Sequence, residues 1–122
     1  MQRLILVSDD EPTVADSLKK AAANLDVSVL TELQGKVVDR ARKEKPDLVV
    51  LDIQQKNALE TLSLLKTGRN TKDIPVIVIA RDDAPELRDM ALEVGADGFI
   101  PKPLGKDFLP KLLLFLSGRK VR

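Results

Sequence analysis

Three acids in a row, Asp9, Asp10 and Glu11, directly follow the apolar run LILV at 4–7. Carboxylates crowded at the end of a buried strand repel one another and lose solvation, so the fold must gain something by keeping them there. A further carboxylate, Asp52, ends the run LVVLD, and an ammonium, Lys102, follows GFI at 98–100. If these runs are strands of one open parallel sheet, their carboxyl ends share the edge at which such sheets bind ligands. Asp9, Asp10 and Asp52 against one ammonium call for a cation. Oxygen ligands suit Mg²⁺, which keeps waters and uses few carboxylates. A metal beside a carboxylate and a lysine is equipment for holding a phosphoryl group, whose transfer depends on positioning and charge neutralisation.

The elements that must position these groups can be read from periodicity. Continuous apolar runs at 4–7, 27–30, 48–51 and 76–80, with a weaker one at 98–100, suit strands of a parallel sheet covered on both faces. Helical patterns lie between them. Val14, Leu18, Ala21 or Ala22 and Leu25 mark the first; Val37, Val38 and Ala41 the second; Leu59, Leu62 and Leu65 the third. Leu87, Met90, Ala91 and Val94 give the fourth, and Leu109, Leu112, Leu113 and Leu116, widened by Phe108 and Phe115, the fifth. Leu114 falls outside that last arc, and Pro110 is expected to delay the helix's first full turn. Pro12 sits at a helix start, Gly95 and Gly98 after the fourth helix, and Pro46 and Pro75 before strands. Five strands each followed by a helix predict an α/β fold, a doubly wound five-stranded parallel sheet. One domain is expected over 1–118, with 119–122 as a basic tail or the start of a linker.

Composition narrows the chemistry. Twenty Lys and Arg against 19 Asp and Glu leave a net charge of +1, so no basic field points to nucleic acid or a membrane surface. There is no cysteine and no histidine, which removes thiol chemistry, the commonest general base and the commonest zinc ligand. The apolar residues before the acids fall short of a secretory signal and the run LLLFL at 112–116 is far below a membrane span, so a cytoplasmic location is expected.

These motifs resemble the receiver domains of two-component response regulators, in the CheY-like superfamily, over nearly the whole chain. LVSDDEP looks like that family's acidic pair, DLVVLDI its phosphoacceptor strand and DGFIPKP its lysine motif. The resemblance implies the flavodoxin-like fold. It also implies that Asp52 takes a phosphoryl group from a phosphohistidine on a sensor histidine kinase or phosphotransfer protein. Asp10 would bind Mg²⁺ directly and Asp9 through water, with Asp52 and the backbone carbonyl of Gln54 as further ligands. Lys102 would pair with Asp52 and then with the phosphoryl oxygens, and the family commonly holds the Lys-Pro bond cis. Such a domain is no enzyme beyond its own phosphorylation and dephosphorylation. It would signal to a downstream protein or fused output domain through its fourth helix, fifth strand and fifth helix.

The sequence departs from the family at two places. Ala80 stands where the family has Ser or Thr, so the hydroxyl that links phosphorylation to loop movement is missing or rerouted. Arg81 follows it; as a guanidinium it suits phosphate, although an exposed arginine at a loop start needs no special role. Phe99 matches the aromatic switch position, and Ala80 leaves room for it to sit inward permanently. The loop after Asp52, DIQQKNALE, lacks the usual Met-Pro and Asp-Gly and looks about two residues short. A pseudo-receiver, binding partners without phosphorylation, is the alternative. A haloacid-dehalogenase-like hydrolase wants a second acid where Gln54 stands, and dinucleotide binding wants glycines where the first turn is acidic.

Overall fold

The computed structural model describes residues 2–81, 85–105 and 108–116, with Gln34 and Leu109 described through their backbone alone. Five strands alternate with five α-helices: β1 (Arg3–Ser8), α1 (Thr13–Ala21), β2 (Val27–Thr31), α2 (Val37–Glu44), β3 (Leu48–Asp52), α3 (Ala58–Thr67), β4 (Val76–Arg81), α4 (Pro85–Val94), β5 (Gly98–Lys102) and α5 (Phe108–Leu116). All pairings are parallel and the strand order is β2-β1-β3-β4-β5. The expected doubly wound sheet is therefore present.

Side-chain alternation along the strands divides the core into two layers. Ile5, Val7, Leu48, Val50, Ile77, Ile79 and Ile100 face α1 and α5 and pack on Val14, Leu18, Phe108, Leu112 and Phe115. Leu6, Val49, Leu51, Val76, Val78 and Ala80 face the opposite way, onto Val37, Ala41, Leu62, Leu65 and Ala91 of α2, α3 and α4. Because both faces are covered, β3 is buried along its whole length, which is why these strands read as continuous apolar runs. Gly98 is needed for this closeness, since a Cβ there would lie 2.9 Å from Ile77 Cδ1 and 3.1 Å from Phe115 Cζ.

Three helical details differ from expectation. Leu25 is exposed because α1 ends at Ala21, before the predicted stripe completes its last turn. Met90 is exposed as well; α4 meets the core through Leu87, Ala91 and Val94, and Met90 falls to one side of that narrow stripe. Pro110 lies inside the first turn of α5 and does not delay it, because the first N–H groups of a helix have no intrahelical acceptor to lose. Leu114 is exposed, as its place outside the arc predicts. The tail at 119–122 and the end of the expected 1–118 domain lie outside the described residues. No helix among the described residues is long and apolar enough to cross a membrane.

Chain order fixes where a site can form. From β1 the chain moves outward to β2, then returns to place β3 on the other side of β1. The loops leaving β1 and β3 thus part toward opposite faces and open a crevice at the carboxyl ends of these strands. Far from that crevice, Lys66 of α3 closes the other end. Its ammonium lies 2.9 Å from Asp97 Oδ2 and donates to the Ile74 carbonyl at 3.0 Å, while Val76 N–H donates to the same Asp97 oxygen at 2.8 Å.

Candidate functional site

Asp9 directly follows β1, and Asp52 and Lys102 end β3 and β5. The structure brings these three together. Lys102 Nζ donates to Asp52 Oδ2 at 2.8 Å and lies 2.7 Å from Asp9 Oδ2. The side chains of Asp9, Asp52 and Lys102 are only 1%, 9% and 10% exposed, so one ammonium serves two carboxylates in a nearly dry crevice. Burial alone would lower the Lys102 pKa; close contact with Asp52 and Asp9 and their charges outweigh it and raise the value. The Lys102-Pro103 peptide is cis, as the resemblance implies.

The crevice retains a net negative charge. Asp9 Oδ2 is buried and its charge is met by the Lys102 ammonium at 2.7 Å. Asp10 is exposed beside it, and both line a hollow of about 380 Å³ that also touches Asp16 and Glu32. Among the described residues no three acidic side chains cluster closely enough to cage a metal by themselves. Mg²⁺ is the ion least dependent on such a cage, since it uses one or two carboxylates and otherwise keeps its waters.

Asp52 is set from both sides. Its Oδ1 accepts the Gln54 N–H at 2.8 Å, and its Oδ2 faces Lys102. Beneath it Gln55 is buried, and its side-chain amide donates to the carbonyls of Ser8 and Asp52, each at 3.1 Å, and to Ser8 Oγ at 3.3 Å. Sequence reasoning missed Gln55. The only signal was a polar pair, Gln54 and Gln55, where a short loop leaves a buried strand.

A second set of contacts spans the mouth. Arg81 N–H donates to Gln54 Oε1 at 2.8 Å, the Arg81 guanidinium donates to Glu11 Oε1 at 2.5 Å, and Glu11 N–H donates to Asp9 Oδ1 at 3.0 Å. Glu11 enters as a partner of Arg81, a role its sequence position did not reveal. Its hydrogen bond and charge raise the Arg81 pKa, with smaller contributions from the charges of Asp52 and Asp9. A cavity of about 330 Å³ opens next to this pair, with Glu11, Arg81, Ser17, Lys102 and Leu104 on its wall. Ala80 is buried on the α3 and α4 face of the sheet, and Phe99 is half-buried against the same cluster. Gln54 thus reaches the site through its N–H and its side-chain oxygen.

The family model for the response regulator receiver domain matches residues 5–114. The response regulator MprA of Mycolicibacterium vanbaalenii is 33% identical over 107 residues, which cover 86% of this chain and 46% of that protein. The chain therefore spans about half the length of the curated relatives it matches. The chemotaxis response regulator CheY4 of Vibrio cholerae superposes with a TM-score of 0.81 at 20% identity, over 95% of this chain and 99% of that one. The receiver domain of the sensor histidine kinase PA1611 of Pseudomonas aeruginosa, solved with a magnesium ion coordinated in its active site cleft, gives 0.81 at 18% identity over 97% and 99%.

Proposed function

Because the chain belongs to the response regulator receiver family, we propose that Asp52 is its phosphoacceptor and that phosphorylation alters its contacts with other proteins. The observation that carries this reading is the shared ammonium. Lys102 holds Asp52 Oδ2 and leaves Oδ1, whose partner is the neutral N–H of Gln54, with the more available lone pair. Oδ1 attacks phosphorus, the phosphorus–nitrogen bond of a phosphohistidine breaks, and the imidazole nitrogen keeps the electron pair. The product is an acyl phosphate. Lys102 then neutralises phosphoryl oxygen charge from a position it already holds, so little reorganisation accompanies the transfer.

Asp9 and Asp10 would hold Mg²⁺, with Asp52 and the Gln54 carbonyl as further ligands; that Asp9 and Asp10 line one hollow supports this reading. The ion would offset charge on the phosphoryl oxygens. Receiver domains draw on histidine kinases or phosphotransfer proteins and act on output domains or separate proteins; those roles are proposed here, with the α4, β5 and α5 surface as the output face. A cytoplasmic site of action accords with this chemistry. In the family's usual switch a hydroxyl pulls the aromatic residue inward. Here Ala80 and Phe99 already share one packed cluster, which favours a pseudo-receiver as the second reading.

Intact-protein mass after incubation with Mg²⁺ and a small phosphoryl donor, acetyl phosphate, separates the two. The acceptor reading expects one phosphoryl group that does not form when Mg²⁺ is chelated and is absent in Asp52→Asn. If the folded protein takes none, and none from a kinase phosphohistidine either, the pseudo-receiver reading stands.

A further inference from the structure

The contacts around Asp52 close into a ring. Asp52 Oδ1 accepts from Gln54 N, Gln54 Oε1 accepts from Arg81 N, the Arg81 guanidinium reaches Glu11, Glu11 N reaches Asp9 Oδ1, and Lys102 joins Asp9 back to Asp52. Arg81 and Glu11 form the outer rim, at 68% and 46% side-chain exposure, and the ring ties the loops after β1 and β3 to the end of β4. Both kinds of donor that Arg81 carries, its backbone N–H and its guanidinium, are thus occupied by oxygens of the chain itself.

Resting on the acceptor reading above, we propose that Arg81 binds the phosphoryl group in place of the hydroxyl missing at Ala80, and that Gln54 Oε1 and Glu11 hold its donors until that group arrives. Three observations carry the inference. Gln54 bridges the nucleophile and Arg81, its backbone N–H donating to Asp52 Oδ1 and its side-chain Oε1 accepting from Arg81 N–H, so the residue that contacts the nucleophile also contacts Arg81. The cavity beside the rim is lined by Arg81 and by Lys102, which contacts Asp52, with Glu11 the acid on the same wall. A guanidinium matches phosphoryl oxygens better than it matches one carboxylate oxygen in open solvent, where an exposed ion pair contributes little. Phosphorylation then exchanges Glu11 for phosphoryl oxygen on Arg81. The signal passes to the loop after β1 as the release of Glu11, a route that needs no hydroxyl on β4.

The prediction separates the two ends of the latch. Glu11→Gln removes the competing charge and frees Arg81, so phosphorylation by acetyl phosphate and Mg²⁺ should run at least about threefold faster than in the wild type. Arg81→Ala removes the phosphoryl ligand, so the acyl phosphate should be lost at least about threefold faster, with Arg81→Lys restoring only part of its lifetime. In the wild type, the Arg81 guanidinium ¹⁵N resonance should shift on phosphorylation while the Glu11 carboxylate ¹³C moves toward that of a free side chain. Both residues are exposed, so these variants keep the fold. If the wild type is phosphorylated but either rate lies within twofold of its wild-type value, or Arg81 and Glu11 stay paired, the latch is wrong while the acceptor reading survives. If the wild type never gains a phosphoryl group, the acceptor reading itself has failed and the latch falls with it.

Discussion

Replacing Lys102 by Met removes the one cation that two buried carboxylates share, and its consequence can be worked out from the site. Asp9 and Asp52 each bring an oxygen within 3 Å of the same nitrogen. Their oxygens lie 2.7 and 2.8 Å from that nitrogen, so without it two like charges remain no more than about 5.5 Å apart, which at the effective dielectric of such sites is at least about 3 kcal/mol of repulsion. Removing one member of a buried ionic cluster costs a similar amount, about 3–5 kcal/mol, because charge is left behind without a partner. Urea unfolding at pH 7 should therefore show Lys102→Met less stable by about 3 kcal/mol, a shift of about 2 M in midpoint for a domain of this size. The penalty should shrink as pH falls toward 4. Mg²⁺ should stabilise the variant more than the wild type, since it supplies the missing positive charge. A loss below about 1 kcal/mol at pH 7, with no dependence on pH or Mg²⁺, would refute the shared-ammonium account.

Two further outcomes follow from the same geometry. Lys102 should hold its proton to higher pH than the ordinary 10.5, read by NMR of its side-chain amine; its contribution to stability is complete below 10.5 and disappears as pH rises through the raised value, so a midpoint at or below 10.5 contradicts the site. Gln55→Ala should cost about 2 kcal/mol in urea unfolding, because it strips hydrogen bonds from buried carbonyls on two adjacent strands, and a change under 0.5 kcal/mol would mean water replaces the amide without loss.

Much of the fold was legible because parallel strands buried on both faces leave a strong pattern. LVVL and VIVIA could hardly be anything else between amphipathic segments, and the convergence of Asp9, Asp52 and Lys102 followed from placing those runs in one sheet. The side-chain roles were harder. Gln55 looked like loop filler, since its main partner, Ser8, is 47 positions away and nothing local marks a buried amide. Glu11 was only the third acid of the opening run, with no role of its own assigned, yet its partner is Arg81, 70 positions on. Asp9 and Asp10 are adjacent in sequence but differ in burial, one enclosed against Lys102 and one exposed. Periodicity speaks about faces of elements; it is silent about contacts between loop side chains that meet only after the sheet has closed.

The shared ammonium also bears on how the chain acquires its structure. Lys102 sits on the edge strand β5, whose sole neighbour in the sheet is β4, while the carboxylates it balances belong to the two central strands. During synthesis, Asp52 is made 50 residues before its counter-charge exists. A partly folded chain that closes β1 on β3 early must bury two like charges together or leave that end of the sheet open. Either way the carboxyl ends of β1 and β3 are held back until β5 docks, so the residues that define the site also tie its completion to the last strand and make assembly all-or-none.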